Sequence, residues 1–134
     1  MGVEYGKGKR SQSFSSFLLG AYFNGELYPI TKVGSGFTDQ QIDEMNELFS
    51  KIIIHSPTPE MKIPKFVKVK HYVQPTVVFK VLCQDVTRSP LYDYGFREGY
   101  GGISLRFPVF DCIREDKAPS DCKTDVLNDL AKDI

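Results

Sequence analysis

Apolar positions change their period several times along this chain, and each change marks an element. Residues 17–23 are a short apolar run ending at Asn24-Gly25, the dipeptide best suited to the positive φ angles of a type I′ turn. Residues 26–33 return as the second arm of a hairpin. Pro29 inside that arm requires an edge position or a bulge, because proline has no N–H to give to a ladder. After Gly34-Ser35-Gly36, Thr38 can cap a helix and Gln41 can reach back to it, with Phe37 and Ile42 placed as a hydrophobic staple. Ile42, Met45, Leu48, Phe49 and Ile52 then recur at helical spacing and predict one core-facing stripe.

Further on the period drops to two. Residues 56–64 hold Pro57, Pro59 and Pro64 and read as an extended loop. Residues 66–73 alternate, with Val67, Val69 and Val73 on one side and Lys68 and Lys70 on the other, which predicts a half-buried strand. Residues 76–86 are a longer β-branched run, and 87–102 read as a loop. Residues 103–113 form a last strand, bent or bulged at Pro108. The glycine-punctuated start, residues 2–8, reads as a loop. Val126, Leu127 and Leu130 predict a short C-terminal helix. The inventory is all-β: a small barrel of about five strands with one internal helix and a short C-terminal helix. An OB-fold barrel fits it, although periodicity alone does not choose that barrel over another.

Length adds that one domain with a real core is affordable and two are not, at 134 residues. No apolar run approaches the roughly 20 residues that span a bilayer, and the N-terminal stretch lacks the apolar core of a signal peptide. Cytosol or nucleus is the expected compartment. Three scattered cysteines, Cys83, Cys112 and Cys122, include no C-x-x-C pair; neither a disulfide framework nor a zinc knuckle is expected. The formal net charge is zero, which argues against strong nucleic-acid binding. Its distribution is uneven, however. Residues 61–80 carry Lys62, Lys65, Lys68, Lys70 and Lys80 without an acid, and the N-terminal stretch adds Lys7, Lys9 and Arg10.

Candidate chemistry is sparse. His55 and His71 have no Cys, Asp or Glu at ligand spacing, and no nucleophile elbow, P-loop or zinc signature occurs. The glycine-rich residues 99–102 precede no helix start and read as a loop. The distinctive segment is Ile103-Ser104-Leu105-Arg106-Phe107-Pro108 followed by Ile113-Arg114-Glu115-Asp116-Lys117. A planar guanidinium fork and a compact ammonium flanking acids at a strand end suit a polyphosphate.

Arg106-Phe107-Pro108 followed by Arg114-Glu115-Asp116-Lys117 resembles motif VI of eukaryotic-type ATP-dependent DNA ligases. Gly6-Lys7-Gly8-Lys9-Arg10 looks like the glycine-basic loop that opens the OB domain of that family. Phe17-Leu18-Leu19, Lys32-Val33-Gly34-Ser35-Gly36-Phe37-Thr38 and Ile103-Ser104-Leu105 follow the family in order. The resemblance therefore covers nearly the whole chain. Two departures stand out. The K-x-D-G motif of the nucleophilic lysine is absent, the nearest string being Lys123-Thr124-Asp125-Val126, and Val109 stands where relatives often carry a basic residue.

The resemblance implies an OB domain separated from its adenylation domain, inactive alone in forming lysyl-AMP. In the parent enzyme a lysine takes AMP from ATP, passes it to the 5′-phosphate of a nick, and the 3′-hydroxyl displaces it. The likeness gives Arg114, Asp116 and Lys117 the catalytic task of orienting pyrophosphate. Arg106 and Phe107 would enter the minor groove beside the nick. Lys7, Lys9 and Arg10 would hold backbone phosphates, with Lys68 and Lys70 as weaker candidates for the same task. ATP and Mg2+ are implied for the full-length enzyme, with neither held tightly by this piece. The implied partners are nicked double-stranded DNA and the adenylation domain of the same polypeptide, in a monomer with no membrane association. The nucleus is the implied location, or the cytosol for a viral parent, with nick sealing in replication, repair or recombination.

Two other readings compete. One is the related OB domain of an mRNA capping guanylyltransferase, which the Arg-Phe-Pro string and the Gly-Lys-Gly-Lys-Arg opening fit less well. The other is a stand-alone single-strand-binding module, with Tyr92, Tyr94, Phe96 and Tyr100 beside Arg97 as its stacking surface.

Overall fold

Asn24 and Gly25 both take positive φ, 51° and 78°, and they join β2 (Phe14–Phe23) to β3 (Glu26–Val33) as the expected antiparallel hairpin. Pro29 satisfies both conditions set by its missing N–H. It faces Gly20 where the register shifts, and β3 is an edge strand of a five-stranded sheet ordered β3-β2-β1-β5-β4. The other members of that sheet are β1 (Gly2–Tyr5), β4 (Ile53–Ile54) and β5 (His71–Val73). The computed structural model describes residues 1–5, 14–125, 127 and 128.

The start of the chain corrects the loop expected over residues 2–8. Residues 2–5 form the central strand β1, pairing with β2 on one side and β5 on the other. The strand is too short to show a period, yet Val3 is fully buried. Gly2 lies directly against Val69, where a Cβ would come within 2.6 Å of a methyl. The alternation over residues 66–73 also has a different origin from the one expected. Val67 and Val73 are buried and Lys68 and Lys70 are exposed, but only His71–Val73 pairs as strand. Residues 64–70 are a loop that turns on the Val67 N–H to Pro64 bond and meets β1 through the Lys70 N–H to Val3 bond.

The helix α1 (Asp39–Ser50) begins with the expected capping box. The Gln41 amide donates to Thr38 Oγ1 at 3.1 Å, and Gln41 Oε1 accepts from the Thr38 amide at 2.9 Å. Its stripe is inward: Ile42, Met45 and Phe49 are buried, and Leu48 and Ile52 pack against the same core.

The remaining strands are β6 (Phe79–Leu82), β7 (Asp85–Ser89), β8 (Gly102–Arg106) and β9 (Val109–Ile113). β6 pairs with β9, and β7 with β8. The fold is thus all-β with one internal helix, as the pattern predicts. Nine short strands appear among the described residues because corners and bulges divide the longer runs. Their ladders form three sheets and do not close among those residues. Of the expected terminal helix, Leu127 is buried against Ala21 and Ile103, while Val126 and Leu130 lie outside the described residues.

Five phenylalanines tie sheet, helix and hairpin together. Phe17 of β2 lies 5.1 Å from Phe49 of α1, 5.2 Å from Phe37 and 5.6 Å from Phe79 of β6, ring centre to ring centre. Phe37 stacks on Phe110 of β9 at 4.3 Å. Aromatic rings bury large areas and gain further from offset and edge contacts. We expect Phe17→Ala to cost about 3–5 kcal/mol, read as a lower urea midpoint.

The N-terminal ammonium of Met1 is buried, which lowers its pKa from 8.0 to about 5. The unfolded chain takes up this proton below about pH 8, and the folded chain only near pH 5. Stability of the 134-residue chain should therefore rise from pH 5 to pH 8. Acetylating the terminus should flatten that part of the pH profile of unfolding.

Candidate nucleic-acid interface and phosphate site

One register runs through the corner between the two two-stranded ladders, and it shifts only beyond it, between Lys80 and Val81. Val86 faces Leu105 and Asp85 faces Arg106 in the β7–β8 pair; the same register, continued past a gap, sets Leu82 against Val109 in the β6–β9 pair. The two ladders are therefore one long hairpin, interrupted where Cys83 and Gln84 lie opposite Phe107 and Pro108. The expected bend at Pro108 is this corner. The Gln84 N–H still donates to the Arg106 carbonyl at 2.9 Å, so the arms stay joined up to the interruption. Pro108 cannot donate, and Phe107 takes a left-handed φ of 51°, a conformation that is uncommon for a bulky side chain.

That backbone turn throws the Phe107 ring outward. The ring is 65% exposed, so it is no core residue. The Arg106 guanidinium lies over it, 5.1 Å from the ring centre, within the range of a cation–π contact. Arg106 itself is exposed. The corner thus offers an apolar ring and a cation side by side on a backbone held by two strands.

The Gly34-Ser35-Gly36 turn holds the other end of the corner. The Phe110 N–H donates to the Ser35 carbonyl at 2.8 Å. Gly36 has φ 96°, and a Cβ there would come 2.5 Å from the Phe110 carbonyl oxygen and 2.6 Å from Val109 Cγ1. Only glycine satisfies both demands. Sequence reasoning placed this turn as a helix lead-in and missed its role as the support of β9; the signal was the paired glycines ahead of a cap.

Arg114, Asp116 and Lys117 follow the far end of β9. The Arg114 N–H donates to the Val78 carbonyl at 2.8 Å, which ties the start of this tail to the residue just before β6. Arg114 grips Asp116 with both arms of its fork: Nε to Oδ1 at 2.8 Å and Nη2 to Oδ2 at 2.7 Å. These hydrogen bonds hold the Asp116 carboxyl down to about 2 and raise the Arg114 guanidinium above its ordinary value. The pair stays ionised throughout the physiological range. Glu115 and Lys117 are exposed beside it.

The structure does not bring the two cationic groups together. Six residues, Pro108 to Ile113, lie between Phe107 and Arg114, a span of up to roughly 20 Å at the rise of a strand. Lys68 and Lys70 are exposed on the loop before β5, on the side of the five-stranded sheet and not on the hairpin. Lys7, Lys9 and Arg10 lie outside the described residues. The tyrosine-rich loop is not the stacking surface of a single-strand binder as a whole, since Tyr92 and Tyr94 are buried in two core clusters. Phe96 and Tyr100 are exposed, with Arg97 5.4 Å from the Tyr100 ring. Gly101 and Gly102 press against the backbone of Ser89 and Tyr92, which leaves no cradle for a phosphate there. His71 is half-buried beside the Phe14 ring and His55 is exposed. Cys83, Cys112 and Cys122 are free thiols. No helix among the described residues is long and apolar enough to cross a membrane.

Residues 10–117 match the family described as "ATP dependent DNA ligase C terminal region". The chain belongs to this family. It is 36% identical over 123 residues to "DNA ligase 1" of Saccharomyces cerevisiae, covering 90% of this chain and 16% of that protein. It is 41% identical over 133 residues to "DNA ligase 1" of Methanosarcina barkeri, covering 92% of this chain and 23% of the relative. A "DNA ligase" of Thermococcus fumicolans is 36% identical over 126 residues, with 92% and 20% covered. The chain spans about a fifth of the length of these relatives. The matched region includes the corner and the Arg114–Lys117 tail.

The support of β9 by Gly36 is directly testable in this ligase C-terminal domain. Gly36→Ala should destabilise the fold by at least about 1–3 kcal/mol, seen as a lower urea midpoint. It should also broaden the amide signals of Val109 and Phe110, while Gly25→Ala, with open space around its Cβ position, should leave those two signals in place.

Proposed function

We propose that this chain, residues 1–134, is the OB domain of an ATP-dependent DNA ligase and serves two steps with two ends of one strand. The Arg114–Lys117 end orients the pyrophosphate of ATP while the lysine of the adenylation domain is charged. The Arg106–Phe107 corner grips nicked duplex DNA during sealing. The observation that carries this reading is the separation of the two groups along β9, since the phosphates of one nucleotide cannot reach from one end to the other.

Chemistry supports each assignment. Phosphoryl-type transfer depends mainly on positioning and on neutralising charge. Arg114 has five N–H donors, of which Asp116 engages two; the rest of the fork and the Lys117 ammonium suit phosphate oxygens. Asp116 acts by holding the guanidinium plane. Mg2+ would arrive with the nucleotide phosphates and find its protein ligands in the adenylation domain. At the corner, an outward ring can wedge into the minor groove, and Arg106 can reach the phosphates that flank it. Lys7, Lys9, Arg10, Lys68 and Lys70 would add sequence-independent backbone contacts. A ligase with this domain acts as a monomer on chromosomal nicks, in the nucleus when its parent is eukaryotic, in replication, repair or recombination.

The test uses a full-length ligase carrying this domain. Arg114→Ala or Lys117→Ala should slow self-adenylylation by about 10²-fold and largely spare sealing of a nick that already carries AMP. Phe107→Ala should do the reverse, slowing sealing about tenfold, the scale of one lost aromatic contact to DNA. Equal losses in both reactions for either variant would overturn the division of labour.

A further inference from the structure

The corner has a second arm, and its exposed residues have no part in the reading above. Leu82 faces Val109 across the hairpin. Residues paired in this way point to the same side of a ladder. The neighbouring pair, Val81 and Phe110, points to the other side, where Phe110 is buried in the phenylalanine core. Leu82 and Val109 are therefore on the outer face, 57% and 39% exposed. Single exposed apolar residues need no explanation. Here, however, Leu82, Val109 and Phe107 occupy one corner whose geometry is fixed by a shared register and by the Gly36 contact with β9.

We propose that Leu82 is a further DNA-contacting residue, and that with Val109 it extends the Phe107 wedge along the minor groove of the nicked duplex. This rests on the assignment of the Phe107 corner to DNA. Three observations favour a nucleic-acid groove over an apolar protein surface. The apolar strip is narrow: on one side it ends at the Lys80–Asp111 ion pair, with N···O 3.1 Å, and on the other at Phe107, whose ring lies under the Arg106 guanidinium. A narrow ridge fits a groove about 6 Å wide. Arg106 beside the ridge suits a flanking phosphate. The carboxylate of Asp85 is turned to its own backbone, accepting from the Val86 N–H at 2.8 Å.

The experiment measures the affinity of the full-length ligase for a fluorescent nicked duplex at several salt concentrations. Leu82→Ala should weaken binding about three- to tenfold with the salt slope unchanged, because no phosphate contact is lost. Leu82→Lys should steepen that slope by about one unit of log K against log salt. The urea midpoint of Leu82→Ala should match that of the parent, since the side chain is more than half exposed. Unchanged affinity in Leu82→Ala, with weakened affinity in Phe107→Ala, would overturn the inference and leave the corner a DNA face. Unchanged affinity in both would overturn the corner assignment and the inference with it. Slower self-adenylylation in Leu82→Ala with unchanged DNA affinity would assign the ridge to the adenylation domain and also overturn the proposal.

Discussion

The cross-strand register that pairs Val86 with Leu105 and Leu82 with Val109 is the constraint on which the rest depends. A slip of one residue would turn every side chain of one arm to the opposite face. Phe110 would leave the core and Val109 would enter it. The register is secured from inside by the stacking of Phe37 on Phe110 and the edge contact of Phe79 with Phe110 at 4.9 Å. It is secured at the rim by the Ser35 carbonyl and the close approach of Gly36. With the arms locked, the interruption at residues 107–108 has nowhere to fold but outward.

From this constraint follows the spatial separation of the two candidate sites. β9 starts at the corner and ends beside Arg114, so a single strand carries the apolar, DNA-suited end and the ionic, phosphate-suited end. The Arg114–Asp116 pair is exposed, and a pair of this kind contributes little to stability. Its value lies in geometry: a bidentate contact orients a guanidinium plane that would otherwise sweep many rotamers. The zero formal net charge of the chain is compatible with such local use of cations, because each candidate end concentrates its own.

Much of the fold was legible where local chemistry decides local structure. Asn24-Gly25 specified the hairpin, Thr38 and Gln41 specified the cap, and Pro29 and Pro108 marked the places where ladders are disturbed. The elements that were not legible depend on distant partners. β1 is four residues beside glycines, and only its position between β2 and β5 makes it a strand. The alternation at Val67, Lys68 and Val69 arises from a loop laid over β1, so its burial pattern mimics a strand without the ladder. For the candidate site, the family resemblance pointed to Arg106, Phe107, Arg114, Asp116 and Lys117. The exposure of Phe107 and the partnership of Leu82 with Val109 were not legible, because both follow from a positive φ and a register that no local period encodes.

The most direct test of this account is a set of proton–proton contacts in solution, measured by nuclear Overhauser effects on the 134-residue domain. The account predicts cross-strand contacts between Leu82 and Val109 and between Asp85 and Arg106, together with no contact from the Phe107 ring to Phe37 or Phe79. Ring contacts from Phe107 into that core, or pairing shifted by one residue on either side of the corner, would contradict it.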